Sequence, residues 1–324
     1  MKRLVVYLCF ALWAGLASYA QDAGAAFQFL QLPVSSHAGG LGGDNISIVE
    51  DDITLIYHNP ALLANTRGRT LSLNYMSYLQ KTNIASAAYD MEVGKRSMLA
   101  FGAHYLSFGS MKHTDAEGNI MGNFTAKDMA LMTTYSFDFS ERWSGGVTGK
   151  LIYSNYEQVY SLGLGVDLGL NYYNPENMFS VSIVARNLGG QVKTFDETQE
   201  PLPYNLLVGF SKELGHAPIR LSATLTDLHR WSEDDFYNSG DGSWRSLVMK
   251  HIIIGADIFP THNTYVALGY NFFRQSELKN ENRRGLEGFT IGGGIQTQRI
   301  KVGVSYGKYH VAASSLMMSF SAVL

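Results

Sequence analysis

Few residues in this 324-residue chain stand at spacings that could do chemistry. Asn59-Pro60-Ala61 matches the tripeptide of water channels. That chemistry takes two copies on paired half-helices, so a lone copy reads as a turn, with Asn59 folding back on the backbone and Pro60 fixing φ. Asp115-Ala116-Glu117-Gly118-Asn119 alternates oxygen ligands around a glycine but lacks the ligand spacing and closing glutamate of a calcium loop, and reads as a solvated hairpin tip. The nine histidines form no i, i+4 pair with an acid, which gives no zinc site. Gly-x-Ser-x-Gly, phosphate-loop and dinucleotide fingerprints are missing, and Gly292-Gly293-Gly294 precedes no helix. Serines, histidines and aspartates are present without a spacing that brings them together, so no catalytic, cofactor or metal residue is assigned and the chain reads as non-enzymatic.

One segment has the composition of a contact surface. Leu228 to Leu247 carries Trp231, Phe236, Tyr237 and Trp244 among Glu233, Asp234, Asp235 and Asp241. Large aromatics in polar surroundings are typical binding anchors, although the same rings could pack within the loop or rest at a membrane interface.

The elements that must position these residues are strands. From Ser161 to Tyr172, leucines, Val166 and Tyr172 fall on one face, and Ser161, Gly163, Gly165, Asp167, Gly169 and Asn171 on the other. Ile219–Thr226, Ile300–Gly307 and Leu316–Leu324 repeat this parity. Alternation with one apolar face fits an outer-membrane barrel, and equally a soluble sandwich with one wet face. The amino terminus favours the membrane: Lys2-Arg3, an apolar run from Leu4 to Leu16 and Ser18-Tyr19-Ala20 form a secretory signal over residues 1–20. The single cysteine, Cys9, lies inside that signal, so the mature chain has no disulfide. Removing Lys2 and Arg3 leaves 23 basic against 28 acidic residues, a formal charge of −5, which disfavours nucleic acid as a partner.

The alternation predicts an all-β fold, a transmembrane outer-membrane barrel of about 14 antiparallel strands over residues 70–324, preceded by a hatch or plug over 21–69. The strands are expected near 70–78, 82–90, 96–106, 126–138, 142–153, 159–173, 177–187, 203–213, 217–227, 248–258, 262–272, 286–297, 299–307 and 313–324. Even-numbered connections are then all short. The long ones, Ser107 to Thr125, Leu188 to Leu202, Leu228 to Leu247 and Phe273 to Gly285, are all odd-numbered. Outer-membrane barrels keep short turns on the periplasmic side, which predicts both termini there. Tyr75, Tyr78, Tyr89, Tyr105, Trp143, Tyr153, Tyr172, Tyr173, Phe272 and Tyr306 fall near strand ends, as interfacial girdles do. Inward Lys150, Arg186, Arg220, Asp257 and Lys301 read as scattered along the wall and decide nothing about a pore.

Phe27 to Thr66 does not alternate. It carries Leu32-Pro33, Gly39-Gly40-Leu41-Gly42-Gly43 and Asn59-Pro60-Ala61-Leu62-Leu63, and its apolar residues favour a packed plug over a periplasmic tail. Phe29-Leu30-x-Leu32-Pro33, Ala38-Gly39-Gly40-Leu41-Gly42-Gly43 with Asn45 and Ser47, Asp51-Asp52, and Asn59-Pro60-Ala61-Leu62-Leu63 leading into Leu71-Ser72-Leu73-Asn74-Tyr75 resemble the PorV/PorQ family of type IX secretion outer-membrane barrels, the PorQ branch more than the PorV shuttle. The resemblance is specific over residues 27–90 and continues as a glycine-rich pattern. That family looks like the long-chain fatty-acid transporter barrels, which also carry an amino-terminal hatch. The resemblance implies a non-enzymatic component of the attachment complex, anchoring a PorZ-like surface protein beside PorU-like and PorV-like proteins for cargo maturation and lipopolysaccharide attachment. It leaves open a transporter of hydrophobic or small solutes. Leu32, Pro33, Gly42, Gly43, Asn59 and Pro60 are its expected structural residues in the hatch.

Overall fold

A computed structural model describes residues 25–79, 81–115, 117–232, 236, 243–278 and 287–324. The signal segment 1–20, Tyr237 and the acidic residues Glu233, Asp234, Asp235 and Asp241 lie outside them. Fourteen antiparallel strands close on themselves. They are β1 Thr70–Leu79, β2 Thr82–Gly94, β3 Ser97–Thr114, β4 Ile120–Asp138, β5 Trp143–Tyr156, β6 Val159–Asn174, β7 Phe179–Lys193, β8 Asn205–Glu213, β9 Ile219–Leu225, β10 Ile252–Thr261, β11 Thr264–Asn271, β12 Phe289–Gln296, β13 Ile300–His310 and β14 Ala313–Val323. Each strand pairs with its sequence neighbours, and β1 meets β14 from Thr70↔Val323 to Ser77↔Leu316.

The period-two pattern decides which face is which. In β6, Leu164, Val166, Leu168 and Leu170 point outward while Ser161, Asp167 and Asn171 are buried in the lumen. In β13, Ile300, Val302, Val304 and Tyr306 are outside and Lys301 and Ser305 inside. Large apolar side chains on the outer wall meet lipid, so their exposure to the surroundings of the isolated chain is no defect. Among the girdle candidates, Tyr75, Tyr105, Trp143 and Tyr306 are exposed on the wall. Tyr78 instead packs against the core inside the barrel.

Two connections differ from the sequence reading. Ser107 to Thr125, expected as a loop, continues β3 and β4 as a ribbon to Thr114↔Ile120, at whose tip Asp115 N donates to Asn119 O. Beyond Ser107 and before Ala126 its arms pair only with each other, because β2 ends its pairing at Ser107 and β5 at Ala126. Outside a bilayer neither face needs to be apolar, so this ribbon carries no alternation to read. Likewise β7 runs on to Lys193, through residues assigned to the loop from Leu188. The long excursions that remain follow β7, β9 and β11, and the latter two carry the helices Trp244–Lys250 and Phe272–Glu277. All lie at the barrel end opposite the start of β1 and the finish of β14.

Residues 25–69 fill the lumen as short helical turns: Gln28–Gln31, Ser36–Gly40, Ile53–Tyr57 and Pro60–Asn65. Ile46, Ile48, Ile53, Leu55, Leu62 and Leu63 are wholly buried. Asn59 accepts from Ala61 N at 2.9 Å, capping the last turn, and donates to Ile46 O at 2.8 Å, stapling two plug segments together. Pro60 occupies the first position of that turn, where its missing N–H costs nothing. Wall glycines make room for it. A Cβ at Gly146 would overlap the backbone of Pro60 and come within 2.7 Å of Ala61 N. Gly149, three residues on and on the outward face, meets nothing within 4 Å. Replacing Gly146 with valine is expected to cost about 1–3 kcal/mol by overpacking the plug against the wall. Gly149→Val is expected to be neutral. The midpoint of heat-induced mobility change on gels checks both.

Candidate functional site

The plug meets the wall through two charge clusters. In the larger, His37 donates from Nδ1 to Glu50 at 2.6 Å and from Nε2 to Asp257 at 2.8 Å. Arg220 donates to Asp257 from Nε at 2.9 Å, and Lys301 reaches Glu50 at 3.0 Å and Asp52 at 2.9 Å. Three acids thus face three bases, with His37, Glu50 and Asp52 from the plug and Arg220, Asp257 and Lys301 from β9, β10 and β13. The Tyr265 ring stacks on His37 at 3.9 Å between centroids. Of the five inward residues read as scattered in the sequence, Arg220, Asp257 and Lys301 converge here, whereas no charge role was read for His37, Glu50 or Asp52 of the plug. The wall residues' only sequence signal was an ionisable side chain on an inward strand position.

Both His37 nitrogens face carboxylates, so the imidazolium is the form that satisfies them. Burial lowers its pKa, but Glu50 and Asp257 outweigh burial and raise it from 6.5 to about 9. Glu50, which burial would raise, is held well below the usual carboxylate range by His37 and Lys301. His37, Glu50 and Asp52 also place ligand-type atoms within 4.8 Å of one another. The Lys301 ammonium already occupies the position a metal ion would need between the two carboxylates.

The second cluster depends on a β-bulge. Between Val166↔Leu188 and Leu168↔Ala185 β7 has one residue more than β6, and Asn187 adopts φ 57°. Arg186 and Asn187 therefore both turn into the barrel, as bulges re-aim side chains. Asn187 is pinned by Asp167, which accepts from its N–H at 2.7 Å, and by Lys150, which donates to its Oδ1 at 2.7 Å. Arg186 pairs with Asp44 of the plug, which also accepts from His58 Nδ1 at 2.8 Å. Burial would raise the Asp44 pKa, but Arg186 and His58 outweigh it and hold the carboxyl below its usual range.

Above the plug, at the long-loop end, lies a vestibule of about 570 Å³. Phe27, Phe29, Leu30, Leu106, Phe108 and Phe195 are among the apolar side chains of its wall, and Gly43, Asp44 and Arg186 belong to its floor. A larger depression of about 1040 Å³ lies across β3–β7, bordered by the outward side chains Phe101, Leu131, Leu151 and Leu164, and Gly149 leaves it open.

The residues singled out from sequence fall in several places. Gly42 and Gly43 hold φ of 93° and 90°, the left-handed region, and Gly42 N donates to Thr290 Oγ1 at 2.8 Å. Pro33 is buried and Leu32 packs on the core. Of the loop aromatics, Trp231 is 50% and Trp244 73% exposed, and Trp231 Nε1 donates to Leu228 O. Phe236, expected at the surface, is 6% exposed and lies 5.8 Å from the His251 ring and 5.9 Å from Phe273. It anchors the loop internally.

No family model matches the chain, and no curated protein does. Solved structures do. The toluene transporter TodX of Pseudomonas putida is 13% identical over 90% of this chain and 96% of its own, with a TM-score of 0.54. A TodX variant described as a monoaromatic hydrocarbon channel reaches 0.59 at 12% identity, over 90% of this chain and 99% of that one. A Pseudomonas aeruginosa FadL homologue reaches 0.52 at 11%, over 92% and 98%. The fold is an outer-membrane barrel. At these identities the likeness concerns architecture, and the type IX secretion reading rests on the residues quoted for it alone.

Because the pKa of His37 is raised, its contribution to holding the plug is complete below pH about 6.5 and is lost as pH rises through about 9. Hydrogen exchange over residues 37–52 is expected to accelerate across that window. In His37→Phe the step is expected to be absent and exchange faster at every pH.

Proposed function

We propose that this barrel admits a hydrophobic or small solute from the cell exterior into the vestibule above its plug. The observation that carries the reading is the apolar-walled cavity at the long-loop end, floored by buried plug residues. With short turns toward the periplasm, as in other outer-membrane barrels, both termini lie on the periplasmic side and the vestibule faces outward. Architectural likeness to barrels described as hydrocarbon channels supports the same reading. The closed wall and the plug argue against an open diffusion pore, since the lumen is packed through its middle. Uptake of a labelled monoaromatic hydrocarbon into vesicles with a lipopolysaccharide outer leaflet tests it. The barrel is expected to raise the initial rate several-fold, and Leu30→Trp, which fills the vestibule, to abolish the gain. A rate equal to that of protein-free vesicles sinks the reading.

A second reading is the attachment platform that the PorV/PorQ resemblance implies. It is favoured by the β3–β4 ribbon standing beyond its neighbours and by Trp231 and Trp244, exposed at the same end. On that reading a PorZ-like surface protein co-purifies from surface-labelled outer membranes, beside PorU-like and PorV-like proteins. Trp231→Ala with Trp244→Ala is expected to weaken its retention at unchanged barrel levels. Unchanged co-purification argues against it.

A further inference from the structure

Directly beneath the vestibule is a void of about 20 Å³, room for one water-sized oxygen. It shares Gly43, Asp44 and Arg186 with the vestibule and is closed by His58, His104 and Lys150. His58 and His104 are 3% and 2% exposed. His58 Nε2, both ring nitrogens of His104 and Arg186 Nε are buried without a hydrogen-bond partner. Polar atoms so deeply buried are nearly always paired, and here the three side chains that carry these four border one small space.

The charges around this space are already matched. The Asp44 carboxylate is paired with Arg186 and also accepts a hydrogen bond from His58 Nδ1, and Lys150 is paired with Asp167 at 2.7 Å. What remains is a mixture of donors and acceptors. Arg186 Nε–H can only donate; His58, whose Nδ1–H is committed to Asp44, presents a lone pair at Nε2 in its neutral form; His104 offers one of each. A carboxylate can only accept, and would meet the His58 lone pair and the Asp44 oxygens. The vestibule itself is lined by five carboxylates, Asp44, Asp128, Glu200, Asp227 and Glu277, against the guanidinium groups of Arg186, Arg230 and Arg274, which further opposes an anion. A plain hydrocarbon would leave the four buried atoms unsatisfied. A hydroxyl donates once and accepts twice.

We infer that the vestibule selects a neutral aromatic molecule ending in one hydroxyl, a phenol, whose ring lies among Phe27, Phe29 and Phe108 and whose oxygen enters the void. The oxygen accepts from Arg186 Nε–H and from the ring N–H of His104, which stacks on Phe29 at 5.4 Å, and donates to His58 Nε2. This inference rests on the solute reading above and narrows its substrate class.

The test uses the full mature barrel in detergent and three ligands of matched size: 4-propylphenol, propylbenzene and 4-propylbenzoate, titrated calorimetrically at pH 7. The phenol is expected to bind at least about tenfold more tightly than either analogue, since sites that hydrogen-bond a hydroxyl reject ligands lacking it. His104→Leu is expected to bring the phenol down to the hydrocarbon's affinity without weakening the hydrocarbon, and His104→Gln, which keeps a donor and an acceptor, to retain the preference. Gel mobility before and after heating confirms that each variant is folded. Equal affinities for phenol and hydrocarbon, or tightest binding of the benzoate, overturn the hydroxyl inference and leave the solute reading standing. Binding of none of the three by folded protein overturns both.

Discussion

Hydrocarbon offers no hydrogen bonds, and everything else in this molecule follows from that. A strand edge left open in a bilayer strands a row of N–H and C=O groups at several kcal/mol each. The pairing of β1 with β14 removes the last such edge, and an even number of strands brings both chain ends to one side. Closure also creates an interior that lipid cannot fill. Residues 25–69 fill it, and because the inward face of a barrel is polar, the plug must meet that face with charge and hydrogen bonds as well as apolar burial.

The three-acid, three-base cluster shows how that meeting is made. Burying any one of these ions alone would be prohibitive, and losing one partner would leave an uncompensated charge. As a balanced set with short contacts the six residues tolerate burial and fix where the plug sits against β9–β13. The Asn59-Pro60 turn is held differently, by shape: glycines at Gly146 and Gly169 let it approach the wall closely.

The strands were legible because lipid imposes a strict period of two. Where that constraint stops, so does the legibility. The β3–β4 ribbon between Ser107 and Thr125 stands clear of its neighbouring strands, has no apolar face, and read as a loop. Charge pairing was invisible for another reason: His37 and Asp257 are 220 positions apart, and nothing local marks them as partners. The inward parity of Arg220, Asp257 and Lys301 was readable, whereas their convergence is a product of closure. Phe236 illustrates the limit for loops, since composition cannot tell a ring that anchors a partner from one that anchors its own loop. The bulge at Asn187, which delivers Arg186 to the candidate site, carried no signal beyond two glycines following it.

The two ways of holding the plug call on very different extents of the chain. The turn at Pro60–Asn65 packs against β4–β6, strands from the first half of the barrel. The ion cluster draws its wall members from β9, β10 and β13, so it cannot exist until nearly the whole cylinder has been laid down. Because its members come from the plug and from β9, β10 and β13, the six-residue cluster is a mark of the completed barrel. A barrel truncated before Lys301 would carry its plug with Glu50 and Asp52 short of a cation, a defect that distinguishes the unfinished protein from the finished one.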